Sequence, residues 1–311
     1  MSDVDVVVIG GGAAGLSAAL VLSRARRSVV VLDAGSPRNA PAAHMHGFLS
    51  RDGFPPAELL ATARGELARY GATIITGKVV DAQVREPAGF LVSLSDGRQI
   101  SARRILVATG LRDELPEIPG LAERWARDVL HCPYCHGYEV RDRRLVVIGW
   151  TAEASKYAQI VRQWSDDVVI AVAADALSPS DREALAARGV GIVDGAVTRV
   201  VVEDDQLRGV EIDGGRLVEC DAVFVPPRFV PNNDVVATLG CQLDETGWVV
   251  AGRVGRTSVR GVWVAGNVAN PRAQVITAAG EGSAAAIAIN ADLVEEDVGA
   301  AVLAARGDRV S

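Results

Sequence analysis

The first 33 residues set a glycine-rich loop between two apolar runs, and this order restricts the fold more than any other stretch of the chain. Residues 4–9 are almost continuously apolar, which is typical of a strand buried on both faces of a parallel sheet. The loop at residues 10–15 follows at once, and residues 16–26 have the pattern of a helix. A second apolar run at residues 28–32 ends in Asp33. Strand, glycine turn, helix, strand and acid in this order predict a Rossmann unit.

The residues of this unit suit a dinucleotide. Glycines permit a tight turn and a close approach of the backbone, and the N-terminus of the following helix attracts a pyrophosphate. Asp33, at the end of the second strand, can accept a hydrogen bond from a ribose hydroxyl. The predicted cofactor contacts in the loop are Gly10, Gly12, Ala13, Ala14 and Gly15.

Composition limits the size of the protein and the classes of its partners. At 311 residues and 32.6 kDa, the chain is long enough for two domains. Its 32 basic and 39 acidic side chains give a net charge of −7 without a basic block, which excludes nucleic acid and anionic membranes as expected partners. No apolar run reaches the ~20 residues that span a bilayer, and the acidic start is unlike a secretory signal. We therefore expect a soluble, cytoplasmic protein.

A Cys-x-x-Cys pair, Cys132 and Cys135, lies between His131 and His136. Two thiols at this spacing can close into a disulfide and reopen, so the segment can hold and release two electrons. The alternative is half of a zinc site, but the two histidines are too near the pair to complete a relaxed tetrahedron. The sequence has no second Cys-x-x-Cys and no His-x-x-x-His. We predict a redox-active pair and no metal, with the separate Cys220 and Cys241 as buried thiols.

Further patterns along the chain predict a second unit of the same kind. An acidic, proline-rich stretch at 113–120 predicts a connection between domains, and the chain is expected to return near residue 240. We therefore predict an α/β fold of two Rossmann-like domains, each a three-layer ββα arrangement, with the second inserted into the first. The first, cofactor-binding domain takes residues 1–113 and 241–311, and the second takes residues 114–240. The supporting patterns are a hairpin of 90–94 and 99–101 about Asp96-Gly97, strands at 104–110, 144–149, 167–172 and 261–266, and helices over about 152–164 and 274–293.

Four motifs in order resemble the low-molecular-weight thioredoxin reductase family of FAD-dependent disulfide oxidoreductases. They are the loop at 10–15, Ala108-Thr109-Gly110, Cys132-Pro133-Tyr134-Cys135, and Trp263 to Asn267 followed by 272–282. The resemblance implies bound FAD, a dithiol that exchanges electrons with it, and usually a homodimer. It also implies further FAD contacts at Ala108, Thr109, Gly110, Gly266, Asn267, Gln274 and Val275.

The chain departs from that family at its second nucleotide loop. Where the family has Gly-x-Gly-x-x-Gly/Ala for NADPH, this chain has Gly-Trp-Thr-Ala-Glu-Ala at 149–154, and no arginine follows in residues 171–180. Trp150 and Thr151 fill positions where backbone approaches a pyrophosphate, and Glu153 adds a negative charge there. We predict that NADPH binding in the familiar mode is lost, although other contacts could still hold a nucleotide. Asn267 replaces a family aspartate and still offers hydrogen bonds.

Roles within the dithiol follow from the same resemblance. Disulfide exchange needs a thiolate and a proton acceptor, and the family has an aspartate directly after the second cysteine, where this chain has His136. We predict Cys132 as the sulfur that exchanges with substrate, Cys135 as the charge-transfer thiolate near the flavin, and His136 as the base. A structural role for His136 stays open, as does either role for His131. One of His44 and His46 could line the substrate pocket.

The run from Cys132 to Glu139, Cys-Pro-Tyr-Cys-His-Gly-Tyr-Glu, most resembles the dithiol oxidases of bacterial dithiolopyrrolone and fungal epidithiodiketopiperazine biosynthesis, the holomycin and gliotoxin types. This implies that a small-molecule dithiol is oxidised to a disulfide and that O2 takes the electrons, giving H2O2. Two alternatives stay open. One is a reductase of a thioredoxin-like protein, supplied by ferredoxin or an atypical NADPH mode. The other is a non-catalytic flavoprotein redox sensor.

Overall fold

Two mainly parallel sheets organise the chain in the computed structural model, which describes residues 4–85 and 89–307. This arrangement confirms the predicted α/β class with two Rossmann-like domains. Within the described ranges, no helix is both long and apolar enough to cross a membrane.

The first sheet has the strand order β3-β2-β1-β6-β5-β4, and β17 pairs with β6 on a branch. Val6, Val7 and Val8 of β1 have no exposed surface, as expected for a strand covered on both faces. β5 and β6 form the predicted hairpin about Asp96-Gly97. The strands are β1 (Val4–Ile9), β2 (Val29–Asp33), β3 (Thr73–Thr76), β4 (Val79–Val84), β5 (Phe90–Leu94), β6 (Gln99–Val107) and β17 (Val262–Val264).

Three helices belong to this sheet: α1 (Ala13–Arg24), α2 (Pro56–Ala68) and α7 (Val275–Gly307). α1 and α7 pack so closely that a Cβ on Gly282 would lie 2.0 Å from the carbonyl oxygen of Ala14, so this contact requires glycine. α7 continues well past the predicted end near residue 293. Its last buried position is Leu293, and ion pairs with arginines of β6 hold the next turn of the helix in place. These pairs join Arg104 to Asp292 and Glu296, and Arg103 to Glu296 and Asp297.

The second sheet has the order β11-β10-β9-β15-β8, and an antiparallel sheet β12-β13-β14 forms a further layer. One core lies between the five-stranded sheet and the helices α4 and α5, and another lies on the side of the antiparallel sheet. α4 is shorter than the predicted 152–164. The elements are β8 (Val129–Leu130), α3 (Pro133–His136), β9 (Leu145–Gly149), α4 (Glu153–Val161), β10 (Val168–Val172), α5 (Pro179–Ala187), β11 (Gly191–Asp194), β12 (Val197–Glu203), β13 (Gln206–Ile212), β14 (Arg216–Glu219) and β15 (Ala222–Phe224).

A two-stranded antiparallel ribbon joins the two units where the chain crosses between them. It pairs β7 (Leu111–Glu114) with β16 (Arg228–Pro231). The short helix α6 (Asp234–Thr238) follows, and its Val235 and Val236 lie in the core of the first sheet. The chain has therefore rejoined the first core before the expected return near residue 240. A helix of five residues is too short to show a hydrophobic period in the sequence.

Candidate redox site

A cavity of about 700 Å³ lies at the carboxyl ends of β1, β2, β6 and β17, which run parallel to one another. Ligands of open α/β sheets bind at this edge. All the predicted cofactor residues except Gly15 line it, and so do side chains of the second domain. The predicted cofactor residues on its wall are Gly10, Gly12, Ala13, Ala14, Asp33, Ala108, Thr109, Gly110, Gly266, Asn267, Gln274 and Val275.

The glycines of the cofactor loop (residues 10–15) have different tasks. Gly10 has a φ of +112°, and a Cβ on it would lie 2.3 Å from the carbonyl oxygen of Ala108. Gly15 is needed for packing, because its Cβ would lie 1.9 Å from the carbonyl oxygen of Gly10. A Cβ on Gly12 would meet no described atom within 4 Å, so the start of α1 is open to the cavity. A backbone cradle open at a helix N-terminus fits a pyrophosphate.

Asp33 is held in place at the end of β2. Its carboxylate accepts a hydrogen bond of 2.7 Å from Arg64 of α2 and one of 3.1 Å from the backbone N–H of Gly35. Both Asp33 and Arg64 line the cavity. The carboxylate is thereby oriented next to the cofactor loop, in the position expected for a ribose contact.

Asn267 lines the cavity and makes three hydrogen bonds through its side chain. Its amide nitrogen donates to the carbonyl oxygens of Asn270 at 2.9 Å and Ala273 at 3.0 Å. Its side-chain oxygen accepts from Arg38 at 3.4 Å. Both N–H donors of the neutral side chain therefore bind backbone carbonyls, and its oxygen keeps the capacity for a second hydrogen bond, where the resembling family has an aspartate.

Cys132 and Cys135 form a disulfide, with Cα atoms 5.1 Å apart. Cys132 caps the short helix α3, and its sulfur accepts a hydrogen bond of 3.1 Å from the backbone N–H of Cys135. Cys135 is on the cavity wall, whereas Cys132 is not among the lining residues in the described part of the chain. Cys220 and Cys241 are buried free cysteines, as predicted, and burial raises the pKa of both thiols.

His136 lines the cavity directly after Cys135. Burial lowers the pKa of His136, an effect that the negative charge of Glu139 opposes and the positive charge of the His46 ring reinforces. The imidazole is therefore neutral at pH 7 and can accept a proton from a thiol in the cavity.

His131 has a set of packing and polar partners. Its ring stacks on Trp125, with centroids 5.4 Å apart, and its Nε2 lies 3.3 Å from a guanidinium nitrogen of Arg38. Burial and the charge of Arg38 lower its pKa to about 4, so the ring is neutral. Tyr157 donates a hydrogen bond of 2.5 Å to the His131 carbonyl oxygen and holds this segment against α4.

Arg38 lines the cavity, and no motif in the sequence pointed to it. Its guanidinium binds Asp113 of β7 through two hydrogen bonds of 2.7 and 2.8 Å, and it also lies over the ring of Phe229 in β16. It thus connects the first domain, the ribbon and His131. A single arginine in a loop has no local pattern that could have indicated these partners.

His44 and His46 both line the cavity from the loop after β2. His44 is exposed, whereas His46 is partly buried between two carboxylates. Its Nδ1 lies 3.5 Å from Asp52, and its Nε2 lies 3.4 Å from Glu139 of the second domain.

The loop at residues 149–154 joins β9 to α4. A Cβ on Gly149 would lie 2.1 Å from the Cβ of Ala154, so the retained glycine serves the packing of α4. The Trp150 side chain is 47% exposed, and the Glu153 carboxylate lies in the first turn of α4. A bulky ring and an anion therefore stand where a helix N-terminus would otherwise attract phosphate.

Comparison with known proteins agrees with this geometry. The sequence profile described as pyridine nucleotide-disulphide oxidoreductase matches residues 4–282. A thioredoxin reductase, sirT of Leptosphaeria maculans, is 30% identical over 95% of this chain and 96% of its own. The crystal structure of HlmI is 55% identical, with a TM-score of 0.95 over 98% of this chain and 96% of that one. A putative thioredoxin reductase, TrxB of Bacillus anthracis, is 32% identical, with a TM-score of 0.89 over 94% and 99%.

Proposed function

Because the chain belongs to the pyridine nucleotide-disulphide oxidoreductase family, with thioredoxin reductase-like relatives, we propose that it is an FAD-dependent dithiol oxidase. A small-molecule dithiol and O2 would give the cyclic disulfide and H2O2, so two electrons and two protons pass from the thiols to O2. The observation that supports oxidation over reduction of a disulfide is the loop at 149–154. There Trp150 and Glu153 disfavour the binding of a nicotinamide dinucleotide as electron donor.

The family implies FAD, and the residues present fit it. The open start of α1 at Gly12 would receive the pyrophosphate, Asp33 the ribose, and the wall around Asn267 the remaining polar groups. When bound, FAD supplies a two-electron acceptor for the dithiol and a donor for O2.

The chemistry of the chain itself takes place at the two sulfurs. A substrate thiolate would attack Cys132, which forms a mixed disulfide and releases the Cys135 thiolate into the cavity. The second substrate thiolate would then attack the substrate sulfur of the mixed disulfide. The S–S bond of the product forms, and the Cys132 thiolate leaves. As the neutral base, His136 would accept the two substrate protons one at a time and release the first to solvent before it takes the second.

Air oxidation of dithiothreitol by the purified holoprotein tests this proposal. We expect O2 uptake and peroxide to appear in a one-to-one ratio with oxidised dithiothreitol. If peroxide is absent while the Cys132–Cys135 disulfide still opens and closes, the redox-sensor alternative replaces the oxidase.

Gly12→Ala tests the cofactor loop. The new methyl group has room in the fold but stands where the pyrophosphate approaches, so we expect the FAD dissociation constant to rise about 10-fold. Flavin fluorescence on titration measures it. Gly299→Ala on α7, which also has free space, is the matched control and should leave FAD affinity unchanged. Equal FAD affinity in both variants would place the pyrophosphate elsewhere.

His136→Gln tests the base. The wild-type kcat/KM should fall only below pH 6.5, because burial lowers the pKa of His136 and the neutral ring persists into acid. The variant should lose about 100-fold in turnover together with this acidic limb. Peroxide formation measured from pH 5 to 8 gives both quantities. An unchanged acidic limb in the variant would assign the proton acceptor to another group.

A second candidate is a thioredoxin reductase, which the names of the relatives favour. It differs from the oxidase in needing an outside reductant, and the response to NADPH separates the two. The homodimer stays a prediction from the family resemblance, and the cytoplasmic location stays a prediction from the sequence pattern.

A further inference from the structure

We propose that Arg38 positions the disulfide for electron exchange with the cofactor, because it fixes the ring of His131 at the cavity wall. His131 directly precedes Cys132, so the placement of His131 limits where the disulfide can lie. This inference rests on the proposed dithiol chemistry and adds a residue to it. Arg38 acts through His131, so it is a positioning residue and not a group that reacts with substrate.

The Arg38 guanidinium joins the first domain to the redox segment (residues 131–139) through four of its five N–H groups. The N–H of Nε and one N–H of Nη2 donate to the Asp113 carboxylate at 2.8 and 2.7 Å. The second N–H of Nη2 faces Nε2 of His131 at 3.3 Å, and one N–H of Nη1 donates to Oδ1 of Asn267 at 3.4 Å. One planar group thus sets the position of His131 relative to the cavity wall at Asn267.

The faces of the His131 ring are packed, which leaves Arg38 to fix its edge. Trp125 stacks on the ring with planes 16° apart and centroids 5.4 Å apart. Phe229 meets the ring edge-on at 6.1 Å, and the Arg38 guanidinium lies 5.0 Å from the centroid of the same phenyl ring. The Tyr157 hydroxyl holds the backbone through its hydrogen bond of 2.5 Å to the His131 carbonyl oxygen. The residue before the disulfide is therefore held from both domains.

The contact with Arg38 selects one form of the His131 ring. A guanidinium can only donate, so Nε2 accepts and the ring proton lies on Nδ1. The ring is neutral at pH 7, since burial and then the charge of Arg38 lower its pKa to about 4. A neutral ring of one tautomer, stacked on Trp125, keeps one orientation. The redox segment would therefore stay in place while the disulfide opens and closes.

Charge neutralisation of Asp113 is the simpler role for Arg38, because that carboxylate is only 9% exposed. It accounts for two of the N–H groups but not for the other two, which meet His131 and Asn267. Both of these side chains are neutral, so they need no cation. A displacement of about 1 Å at a reacting group can slow a reaction about 100-fold. Releasing His131 should therefore affect the exchange at the disulfide itself.

Imidazole 15N spectra of the holoprotein, labelled at its four histidines, test the contact independently of turnover. Wild type should show His131 as the Nδ1–H tautomer from pH 6 to 8. Arg38→Met should shift the ring toward the Nε2–H tautomer. It should also raise the pKa of His131, because the lowering effect of the Arg38 charge is lost and the raising effect of Asp113 remains. His131→Gln assigns the signal, and an unchanged tautomer in Arg38→Met would overturn the proposal.

Anaerobic flavin reduction by dithiothreitol tests the consequence for the disulfide. Arg38→Met should react about 10-fold more slowly than wild type. The long-wavelength charge-transfer absorbance of the Cys135 thiolate, measured after dithionite has delivered two electrons per protein, should be weaker in the variant. This absorbance depends on neither substrate nor O2, so it reports the placement of the sulfur whichever way the enzyme runs.

Arg104→Met is the matched control for the loss of a buried ion pair. The Arg104 side chain is 7% exposed and lies 2.6 Å from Asp292, and within the described residues it does not line the cavity. We expect this control to lower the melting temperature and to keep the rate and the charge-transfer absorbance within about 2-fold of wild type.

Arg38→Met combined with Asp113→Asn separates positioning from charge neutralisation. The double variant removes the unpaired carboxylate, so it should recover most of the melting temperature that Arg38→Met loses. Its flavin reduction should stay about 10-fold slow and its charge-transfer absorbance weak. Recovery of the rate together with stability would overturn the proposal, and so would a wild-type rate and absorbance in Arg38→Met. If wild-type flavin is reduced normally but O2 uptake is absent, the oxidase proposal fails and the role of Arg38 stands.

Discussion

Replacing Cys135 with serine is expected to abolish oxidation of dithiothreitol, with a loss of at least about 1,000-fold in turnover. Cys135 is the cysteine of the disulfide that lines the cofactor cavity. Its sulfur is bonded to that of Cys132, and the two Cα atoms lie 5.1 Å apart. A serine oxygen cannot close or reopen this bond, so electrons from the substrate have no path to the cavity. O2 uptake and peroxide formation measure the loss.

Cys241→Ser is the matched control for this substitution. Cys241 is buried, and its sulfur lies 3.5 Å from the hydroxyl of Thr257, so a serine there keeps a hydrogen-bond partner. We expect it to retain turnover within about 2-fold, since it touches neither the cavity wall nor the disulfide. If Cys135→Ser still turned over at the control rate, substrate thiols would react without the disulfide and the sulfur relay would be wrong.

The sequence predicts the cofactor edge of this fold well because its signals are local. An apolar run, a glycine turn and Asp33 lie within one βαβ unit, and the structure brings them to one wall of the cavity. The Cys132–Cys135 pair is equally local, since the two residues belong to one turn of chain. Short sequence separation makes such sites readable before the fold is known.

The rest of the site depends on contacts between residues that are far apart in the sequence, and no hydrophobic period or motif predicts such contacts. Arg38 meets Asp113 across 75 residues of chain and meets His131 across 93. His46 and Glu139 face each other from different domains. The ribbon of β7 and β16 likewise pairs residues more than a hundred positions apart. Each partner alone is an ordinary polar residue in a loop, so its role emerges only from the folded arrangement.

NADPH is expected to reduce the bound flavin at least about 100-fold more slowly than dithiothreitol does. The dinucleotide would have to approach the start of α4, where Trp150 is bulky and half exposed and Glu153 is anionic. In the first domain, Gly12 leaves the backbone open to a pyrophosphate. The two phosphates of NADPH would find no such opening at the start of α4 and would meet a negative charge instead. Residues 171–180 contain no arginine for a 2′-phosphate. Anaerobic mixing with each donor, followed at the flavin absorbance band, measures the two rates.

Thr151→Gly combined with Glu153→Gln gives this prediction a matched variant in the same protein. The double substitution recreates a Gly-x-Gly-x-x-Ala loop from Gly149 to Ala154, which keeps the tight packing of those two residues. We expect it to bind NADPH more tightly than wild type and to leave the rate with dithiothreitol within about 2-fold, because the loop is separate from the disulfide. Rapid bleaching of the unaltered protein by NADPH would instead mean that Trp150 and Glu153 permit a different nucleotide pose. Electrons would then enter from the nicotinamide, and the enzyme would be a disulfide reductase.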